Sequence, residues 1–438
     1  MQLNRDRYTG WGRVLSAAGG RARPEKARML DGAPLGPAMG QRRAYGDAAL
    51  KSAGPALDMT RLDRMLAFDP DTGVLEAEAG VKLSDILTAF APKGWRPAVL
   101  PGTGFATLGG AIAADVHGKN HHEAGTFGAQ VLSIRLIGSD GTARDVSETT
   151  EPEVFRATLG GMGLTGVILS AKIRLAPCPS GFVDVDEWRI GSLAAYLEAF
   201  EASDAPFSVG WIDATAKGPA LGRGVFEEAR VSNRAPAFAP VAKSRNIPIT
   251  PPGFVLSGPV VRAFNAAYFR RIPSAGQRRT RPLASFFHPL DGLTNWNRLY
   301  GKKGFHQFQC VLPPDSAAMT IDTMLRRIAD SGLAAPLAVL KKMGAGRSGP
   351  MSFPMAGYTL AVDFPNRGGA EALINTLIDQ TVEAGGRIYL AKDSLATPAQ
   401  IDAMYPELPD FRALVRRLDP EGLFETDLSA RLNLRGAS

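Results

Sequence analysis

The sequence predicts an α+β fold with two domains, and three observations lead to this prediction. The chain has 438 residues, which is enough for two domains that each bury a core. The first ~180 residues alternate strand-like and helix-like segments. Beyond about residue 180, long strands alternate with amphipathic helices, which is typical of an antiparallel sheet covered by helices on one face.

In the first part of the chain, residues 72–94 predict a strand followed by a helix. Ser84 is the expected N-cap, and four apolar residues fall on one helix face: Leu83, Ile86, Leu87 and Phe90. Residues 128–147 predict a hairpin that turns at Asp140-Gly141. Residues 167–179 predict a further strand, closed by two prolines.

In the second part, three segments have the composition of strands: residues 304–314, 358–366 and 386–394. Two segments between them predict amphipathic helices: residues 316–332 and 368–386. The tail, residues 411–432, predicts two short helices around an Asp-Pro-Glu-Gly turn.

The composition is ordinary for a globular enzyme, with 45% hydrophobic and 21% charged residues. No apolar run approaches the roughly 18 residues of a membrane-spanning helix, and the N-terminus lacks the apolar region of a secretory signal. We therefore expect a cytoplasmic protein, or one at the periphery of the inner membrane. Cys178 and Cys310 lie far apart and predict neither a disulfide framework nor a metal site.

The net charge of +7 is concentrated between Ala229 and Leu290, a stretch without Asp or Glu. Arginines mixed with apolar residues favour an anionic membrane surface or a lipid phosphate. Nucleic acid is not expected, because stacking aromatics are few and no binding motif occurs. The alternative is an arginine-rich loop without a specific ligand. The basic residues of this stretch are Arg230, Arg234, Lys243, Arg245, Arg262, Arg270, Arg271, Arg278, Arg279 and Arg281.

Residues 101–122, PGTGFATLGGAIAADVHGKNHH, combine small residues with three of the chain's five histidines. Thr107 is the expected N-cap of a short helix that ends at Gly118, and two glycines in its first turn cost roughly 1 kcal/mol each. Small residues permit close approach to a ligand, and a helix N-terminus suits a diphosphate. The segment predicts a wall of a dinucleotide site, or else a packing helix followed by a polar turn.

Residues 161–166 match the GxGxxG pattern of Rossmann dinucleotide sites. That fingerprint must follow a strand and open a helix, whereas here a helix precedes it and a strand follows. We therefore reject a Rossmann site, although a glycine-rich turn can still lie against a cofactor.

A second motif, Arg43-Ala44-Tyr45-Gly46-Asp47, precedes residues 101–122. Gly46 permits a tight turn, and Arg43 can pair with a phosphate. The two motifs, in this order and at this spacing, resemble the FAD-binding domain of the vanillyl-alcohol-oxidase type. Further segments extend the resemblance over nearly the whole chain, to the decaprenylphosphoryl-β-D-ribose 2′-oxidase family: GKNHH, GGMGLTGVI, FFHPLDGLTNWNRLYGKKGFHQFQ, SFPMAGYTLAVDFP, GGRIYLAKDS and DPEGLF.

This resemblance implies a noncovalently bound FAD and assigns residues to its site. The residues implied to line FAD are Gly40, Arg43, Tyr45, Gly46, Asp47, Pro101, Gly102, Thr103, Gly109, Gly110, His117, Gly118, Asn120, His121, Gly125, Ile168 and Tyr389. Those implied to contact substrate are Lys119, Trp211, Gln307, Gln309, Lys341 and Lys392. Residues 1–180 and 387–438 would form the FAD-binding domain, with the substrate domain, residues 181–386, inserted between them.

The implied reaction transfers a hydride from ribose C2 to the flavin and removes the hydroxyl proton. Lys392, Tyr389 and His117 are the candidate bases, and the Lys392 ammonium would also stabilise an anionic reduced flavin. Read without the resemblance, Lys392 is a solvated lysine at a strand end, and the face shared by Gln307 and Gln309 is a solvent-facing one. His288 and His306 are expected to be structural.

The implied function is oxidation of a polyprenylphosphoryl-β-D-ribose, the first half of an epimerisation to the arabinose lipid. A short-chain NAD(P)H-dependent reductase would complete it. One alternative is oxidation of a soluble sugar, alditol or aldonolactone on the same scaffold. Another is a flavin- or lipid-binding partner protein without turnover, which the altered second motif suggests.

The sequence departs from the family at several positions. The family usually reads GRSYGD in the second motif, whereas Arg42 and Ala44 replace its first Gly and its Ser. Met162 stands where Asn is expected. Ala361 stands where mycobacterial members have a cysteine, so inhibitors that attack that thiol should not attach here.

Overall fold

The computed structural model describes residues 3–5, 7–233 and 244–436. Arg234 and Lys243 of the basic stretch lie outside the described residues. The described chain combines antiparallel sheets with helices, which confirms the predicted α+β class. In these residues, no helix has both the length and the apolar character that crossing a bilayer requires.

The N-terminal segment forms short strands, named β1 (Asn4–Arg5), β2 (Tyr8–Thr9), β3 (Ser16–Ala17), β4 (Gly20–Ala22), β5 (Ala38–Met39) and β6 (Pro55–Asp58). Four of them make a sheet in the order β1-β4-β6-β5, in which β6 runs parallel to both neighbours. β2 and β3 form a separate ribbon. The chain leaves β5 directly into the Arg43–Asp47 motif.

A second sheet follows, built from long antiparallel strands. Its elements are β7 (Met65–Asp69), β8 (Val74–Glu78), α1 (Leu83–Phe90), β9 (Trp95–Pro97), α2 (Leu108–Ala113), α3 (His121–Ala124), β10 (Val131–Ile137), β11 (Ala143–Ser147), α4 (Pro152–Thr158) and β12 (Val167–Pro177). The strand order is β11-β10-β12-β8-β7, with β9 beside β12. The predicted hairpin at Asp140-Gly141 is confirmed, because β10 pairs with β11 across that turn.

The third sheet is the largest and has eight strands among the described residues, in the order β17-β13-β15-β14-β20-β21-β19-β22. The elements of this region are β13 (Phe182–Ile190), α5 (Leu193–Ala202), β14 (Phe207–Ile212), β15 (Gly224–Val231), β16 (Arg245–Asn246), α6 (Gly258–Arg270), β17 (Gln277–Pro282), α7 (Leu283–Phe287), β18 (Leu293–Thr294), β19 (Phe305–Leu312), α8 (Pro314–Ser331), β20 (Ala338–Met343), β21 (Gly357–Pro365), α9 (Ala370–Glu383) and β22 (Arg387–Ile388). Three helices close the chain: α10 (Pro398–Met404), α11 (Leu408–Leu418) and α12 (Asp427–Arg431).

Helices cover one face of the third sheet, as predicted. Successive strand residues point to opposite faces, so Phe308 and Cys310 of β19 face the helices whereas Gln307 and Gln309 face away from them. α8 buries residues at helical spacing against this face: Ala317, Ile321, Met324, Leu325 and Ile328. The other face of the sheet is thereby left for a cavity.

Two predicted helix boundaries are wrong. α1 begins after Lys82, so Ser84 lies inside the first turn and is not the N-cap, although the predicted apolar face is buried. α2 begins after Thr107, whose hydroxyl accepts from the Gly110 N–H, but it ends at Ala113 and not near Gly118. The reason is Asp115, whose backbone adopts a φ of 39° and ends the helix.

Buried hydrogen bonds hold Asp115 in that conformation. Its carboxylate accepts from the Gly128 N–H at 2.8 Å and from the Ser352 hydroxyl at 2.5 Å. The Ser348 N–H donates to it as well. Such tertiary contacts override the local helix propensity and could not be inferred from the spacing of small residues.

The predicted strand at residues 386–394 is shorter than expected, because β22 ends at Ile388. The chain then turns, and the Lys392 N–H donates to the Tyr389 carbonyl. Tyr389 and Lys392 therefore lie on a turn and not on a strand. The helix α10 was not predicted.

An ion-pair cluster joins the second sequence motif to the C-terminal part of the chain. The Arg431 guanidinium donates to both carboxylate oxygens of Asp47, at 2.7 and 2.8 Å, and to Asp393 at 2.9 Å. The Tyr45 N–H donates to the Ala391 carbonyl, and a Cβ at Gly46 would meet the Asp393 carbonyl at 1.9 Å. This arrangement fixes the Tyr389–Lys392 turn beside the second sequence motif.

We predict that Arg431→Ala lowers the free energy of unfolding by about 3 kcal/mol, because it leaves two buried carboxylates without their cation. Guanidinium denaturation measures the loss. Arg417→Ala is the control, since Arg417 pairs with Glu153 at an exposed position and its removal should change stability little. Equal stabilities for the two variants would contradict the assigned role of the cluster.

Candidate functional site

A cavity of about 460 Å³ opens between the second motif, residues 100–119 and the helix-free face of the third sheet. Its size lies within the range of small-molecule sites, roughly 300–1,000 Å³. β14, β19, β20 and β21 provide one wall, and the Tyr389–Lys392 turn closes one end. The glycine-rich turn at residues 161–166 also reaches the wall, through Met162, Gly163 and Gly166.

The structure brings most of the predicted site residues to this cavity. The predicted residues on its wall are Gly40, Arg43, Tyr45, Pro101, Gly102, Thr103, Gly109, Gly110, His117, Gly118, Lys119, Ile168, Trp211, Gln307, Gln309, Lys341, Tyr389 and Lys392. Their contacts with ligands stay predictions.

Five predicted FAD contacts lie behind the wall: Gly46, Asp47, Asn120, His121 and Gly125. Gly46 and Asp47 belong to the cluster with Arg431 and Asp393. The Asn120 amide donates to the Ala98 carbonyl, and His121 Nδ1 accepts from the Gly344 N–H. Gly125 has a φ of 69° at the end of α3, which favours glycine. Their contacts with FAD stay predictions.

Several wall residues had not been predicted. Val339 and Ala361 lie on the same strand faces as the predicted lysine and glutamines, so strand alternation could have identified them. Trp11, Trp296 and Tyr268 carry no comparable local signal. Arg42 and Met162, the two departures from the family pattern, both reach the cavity and adopt φ values of 50° and 54°. Gly and Asn tolerate this left-handed region better than other residues do.

The cavity contains a predominantly basic set of side chains. Of the charged residues on its wall, six are basic and one is a carboxylate: Arg42, Arg43, Lys119, Arg281, Lys341 and Lys392, with Glu227. Burial, together with the charges of Lys119 and Lys392, lowers the pKa of Lys341 to about 7. Burial also lowers the pKa of Lys392 to about 7 and that of Lys119 to about 8. The site is therefore suited to anionic ligands.

His117 is held between two polar side chains. Gln309 Nε2 lies 3.0 Å from His117 Nε2, and Lys341 Nζ lies 3.3 Å from His117 Nδ1. Burial, followed by the charge of Lys341, holds the pKa of His117 well below its usual value, so the imidazole is neutral at pH 7. The rings of Phe353 and Tyr389 pack against it.

Among the three candidate bases, Lys392 is the one whose side-chain polar atom has no hydrogen bond to another described residue. Its Nζ lies 3.7 Å from the centre of the Tyr45 ring and donates no hydrogen bond to another described residue. Tyr389, by contrast, donates its hydroxyl hydrogen to the Ala114 carbonyl, and burial raises its pKa. Of the three candidates, Lys392 has the pKa closest to neutrality and an available nitrogen.

Asp363 lies behind the cavity wall and had not been predicted. Gln307 Nε2 donates to one of its oxygens at 2.5 Å, and the Tyr300 hydroxyl donates to the other at 2.8 Å. Burial raises the pKa of Asp363 to about 7. This carboxylate fixes the orientation of the Gln307 amide.

The lining of the cavity fits FAD. However, the N–H groups that the sequence predicted as donors to its diphosphate already donate hydrogen bonds within the protein. The N–H groups of the first turn of α2 are already used: Leu108 donates to Val81, Gly109 to Ala79 and Gly110 to Thr107. The helix N-terminus therefore offers a diphosphate no free donor there.

Other groups on the wall supply the donors that a diphosphate needs. The N–H groups of Arg43, Ala44, Gly102 and Thr103 donate to no other described residue. Arg43 Nε is buried without a hydrogen-bond partner in the described chain. A Cβ at Gly102 would meet only open space, whereas one at Gly40 would meet the Thr107 hydroxyl at 2.2 Å. These residues would hold FAD along this wall.

Five basic residues of this stretch form ion pairs, most of them with carboxylates on neighbouring strands. Arg271 and Arg281 both pair with Glu187 and Glu227, and Arg279 pairs with Glu187. Arg278 pairs with Asp186, and Arg230 with Asp204. Exposed arginines without an ion pair to a described residue are Arg245, Arg262 and Arg270. The three-dimensional charge is thus smaller than the sequence implied.

Comparison with known proteins agrees with this geometry. The profile of the FAD binding domain matches residues 33–147. The chain is 34% identical to the decaprenylphosphoryl-beta-D-ribose oxidase of Mycolicibacterium smegmatis, over 98% of this chain and 97% of that protein. It is 34% identical to an uncharacterized protein in the mprA 5′ region of Streptomyces coelicolor, over 78% of this chain and 97% of that protein. The L-gulonolactone oxidase of Mus musculus is 29% identical over 28% of each chain.

We predict that the stability of the flavin-free protein rises with pH from about 7 towards 10.5, the ordinary pKa of lysine. Because the pKa of Lys341 is lower in the folded state, the unfolded state binds more protons in this window. Lys341→Met should reduce the rise by up to about 5 kcal/mol.

Urea denaturation at pH values across the window measures this effect. Lys172→Met is the matched control, because Lys172 is exposed on β12 and pairs only loosely with Glu76. An unchanged pH dependence in Lys341→Met would show that Lys341 is not desolvated.

Proposed function

Because the chain belongs to the decaprenylphosphoryl-β-D-ribose oxidase family, we propose that it oxidises the ribose 2′-hydroxyl of a polyprenylphosphoryl-β-D-ribose. The product is the 2′-keto sugar. The observation that carries this proposal is the set of six basic side chains, Lys392 among them, on a cavity that also contains His117 and two buried glutamines. An anionic sugar phosphate matches that set better than a neutral alditol or lactone does.

FAD, when bound, supplies the acceptor for the hydride from ribose C2. The protein orients the sugar and removes the hydroxyl proton. Gln307 and Gln309 present amides from adjacent positions on one face of β19, and Asp363 and His117 fix their orientations. A neutral Lys392 amine accepts the proton of the 2′-hydroxyl, for which a pKa near the working pH is best suited.

We propose that the two predicted domains have separate binding roles. Residues 1–180 and 387–438 hold FAD, and residues 181–386 hold the sugar. Gly102 and Lys392 belong to the first of these parts and Trp211 and Lys341 to the second, and all four line one cavity, which supports this division. A separate short-chain NAD(P)H-dependent reductase is proposed to reduce the keto sugar to the arabinose lipid.

We also propose that the protein binds an anionic membrane surface through residues 244–290 and the adjoining β18. Large apolar side chains are exposed in this region, with Ile249 at 71% and Phe254 at 69% exposure. The unpaired Arg245 and Arg262 lie in the same region. Apolar and basic residues together are typical of peripheral membrane binding.

The oxidation is tested by adding a prenylphosphoryl ribose to the yellow holoprotein under anaerobic conditions. Flavin absorbance should bleach, and Lys392→Ala should slow bleaching by roughly 10²–10⁴-fold. In the wild type, the rate should rise as the pH passes about 7, since Lys392 must lose its proton. Lys172→Ala is the control, and an equal rate in Lys392→Ala would exclude Lys392 as the base.

Membrane binding is tested by sedimentation with phosphatidylglycerol vesicles and with neutral phosphatidylcholine vesicles. The protein should bind the anionic vesicles, and added salt should weaken binding because it screens the arginines. Ile249→Ser combined with Phe254→Ser should weaken it about tenfold. Met319→Ser alters an equally exposed apolar residue on α8 and should have no effect. Binding that does not respond to salt would contradict the proposal.

A further inference from the structure

One end of the cavity is aromatic and leads to the surface of α6. Trp211 and Tyr268 both line the cavity, with ring centres 4.6 Å apart. The Trp211 indole N–H donates to the Pro336 carbonyl, and Arg271 stacks on the outer side of Tyr268 at 4.1 Å. The two rings are thereby fixed at the point where the cavity meets the helix.

An apolar stripe continues from Tyr268 along α6. Val260, Phe264 and Tyr268 are spaced four residues apart, so they lie next to one another on one side of the helix. Phe264 stacks on Tyr268 with a centre distance of 5.9 Å and is 50% exposed, and Val260 is 43% exposed. We call these three residues the α6 stripe.

α6 is anchored through a different set of residues. Val261 and Asn265 are buried, and the Asn265 amide donates to the Asp213 carboxylate at 2.7 Å. Packing of the helix therefore does not require the exposed part of the stripe. Large apolar side chains that stay half exposed beside a ligand cavity are typical of a binding surface.

Two basic residues of the cavity wall are candidates to contact a phosphate placed between sugar and lipid. Lys119 and Arg281 both line the wall, and Arg281 also pairs with Glu227 of the same wall. Lys392, the proposed base, lines the same cavity. The base, the two cations and an apolar stripe that begins at Tyr268 thus supply groups for the hydroxyl, the phosphate and the prenyl chain of the proposed substrate.

We propose that the prenyl chain of the substrate leaves the cavity beside the contacting rings of Trp211 and Tyr268 and lies along the α6 stripe, with its phosphate beside Lys119 and Arg281. This inference rests on the proposed function and adds to it a binding site for the lipid part of the substrate. The continuity of the stripe with the cavity through Tyr268 and the basic residues of the wall identify the occupant. The sugar reacts inside while the chain stays at the surface.

The test compares two substrates with the same head group: farnesylphosphoryl ribose and methylphosphoryl ribose, which lacks the prenyl chain. The preference is the kcat/KM for the first divided by that for the second, measured on the holoprotein in detergent-free buffer. Phe264→Ser combined with Val260→Ser should reduce this preference about tenfold, because a buried apolar side chain contributes that order of affinity. Met319→Ser is the matched control and should leave it unchanged.

A second measurement does not depend on turnover. Farnesyl phosphate binding to the holoprotein, measured by calorimetry, should weaken about tenfold in the stripe variant and remain as in the wild type in Met319→Ser. If neither substrate bleaches the flavin, the proposed oxidation fails while this binding result still decides the location of the chain. If both substrates are oxidised and the preference is unchanged in the stripe variant, the oxidation stands and the α6 site is wrong. A dimer that dissociates in the stripe variant, with unchanged farnesyl phosphate binding, would instead assign the stripe to a second copy of the chain.

Discussion

The site depends on one buried cluster, in which the Arg431 guanidinium joins Asp47 to Asp393. These residues are far apart in sequence, yet their ion pairs bring the second sequence motif and the Tyr389–Lys392 turn to the same end of the cavity. Neither motif can form a site alone. The absence of a side chain at Gly46 is part of the same constraint, since a Cβ there would collide with the Asp393 backbone. The ion pairs between the two ends of the chain therefore position the Lys392 side chain.

The second general feature is a shortage of negative charge inside the cavity. The charges of Lys119 and Lys392 both act on Lys341. The carboxylates that act on Lys119 and Lys392 belong to Glu227, Glu187 and the buried Asp363. Such a site is unfavourable while it contains only water, and it becomes favourable when anionic groups enter. Binding of diphosphate and sugar phosphate thus relieves a repulsion that the fold maintains.

The sequence was sufficient for the elements whose signal is local. The apolar face of α1, the hairpin at Asp140-Gly141 and the alternation of β19 follow from periodicity and turn residues, and all were confirmed. The end of α2 and the shortness of β22 could not be predicted, because contacts with residues distant in sequence determine them: Ser348 and Ser352 for Asp115, and Arg431 for Asp393. The basic stretch shows the same limit, since its partners Glu187 and Glu227 come from β13 and β15.

Arg42 and Met162 have a consequence for how such proteins are recognised. At both positions the backbone adopts the left-handed conformation that Gly and Asn tolerate best, although this chain has Arg and Met there. The backbone conformation at these positions therefore does not depend on the residue types that the family pattern has. A search that requires the literal GRSYGD motif would miss this chain. A search for the left-handed backbone conformation at these two positions, beside the cavity, would find it.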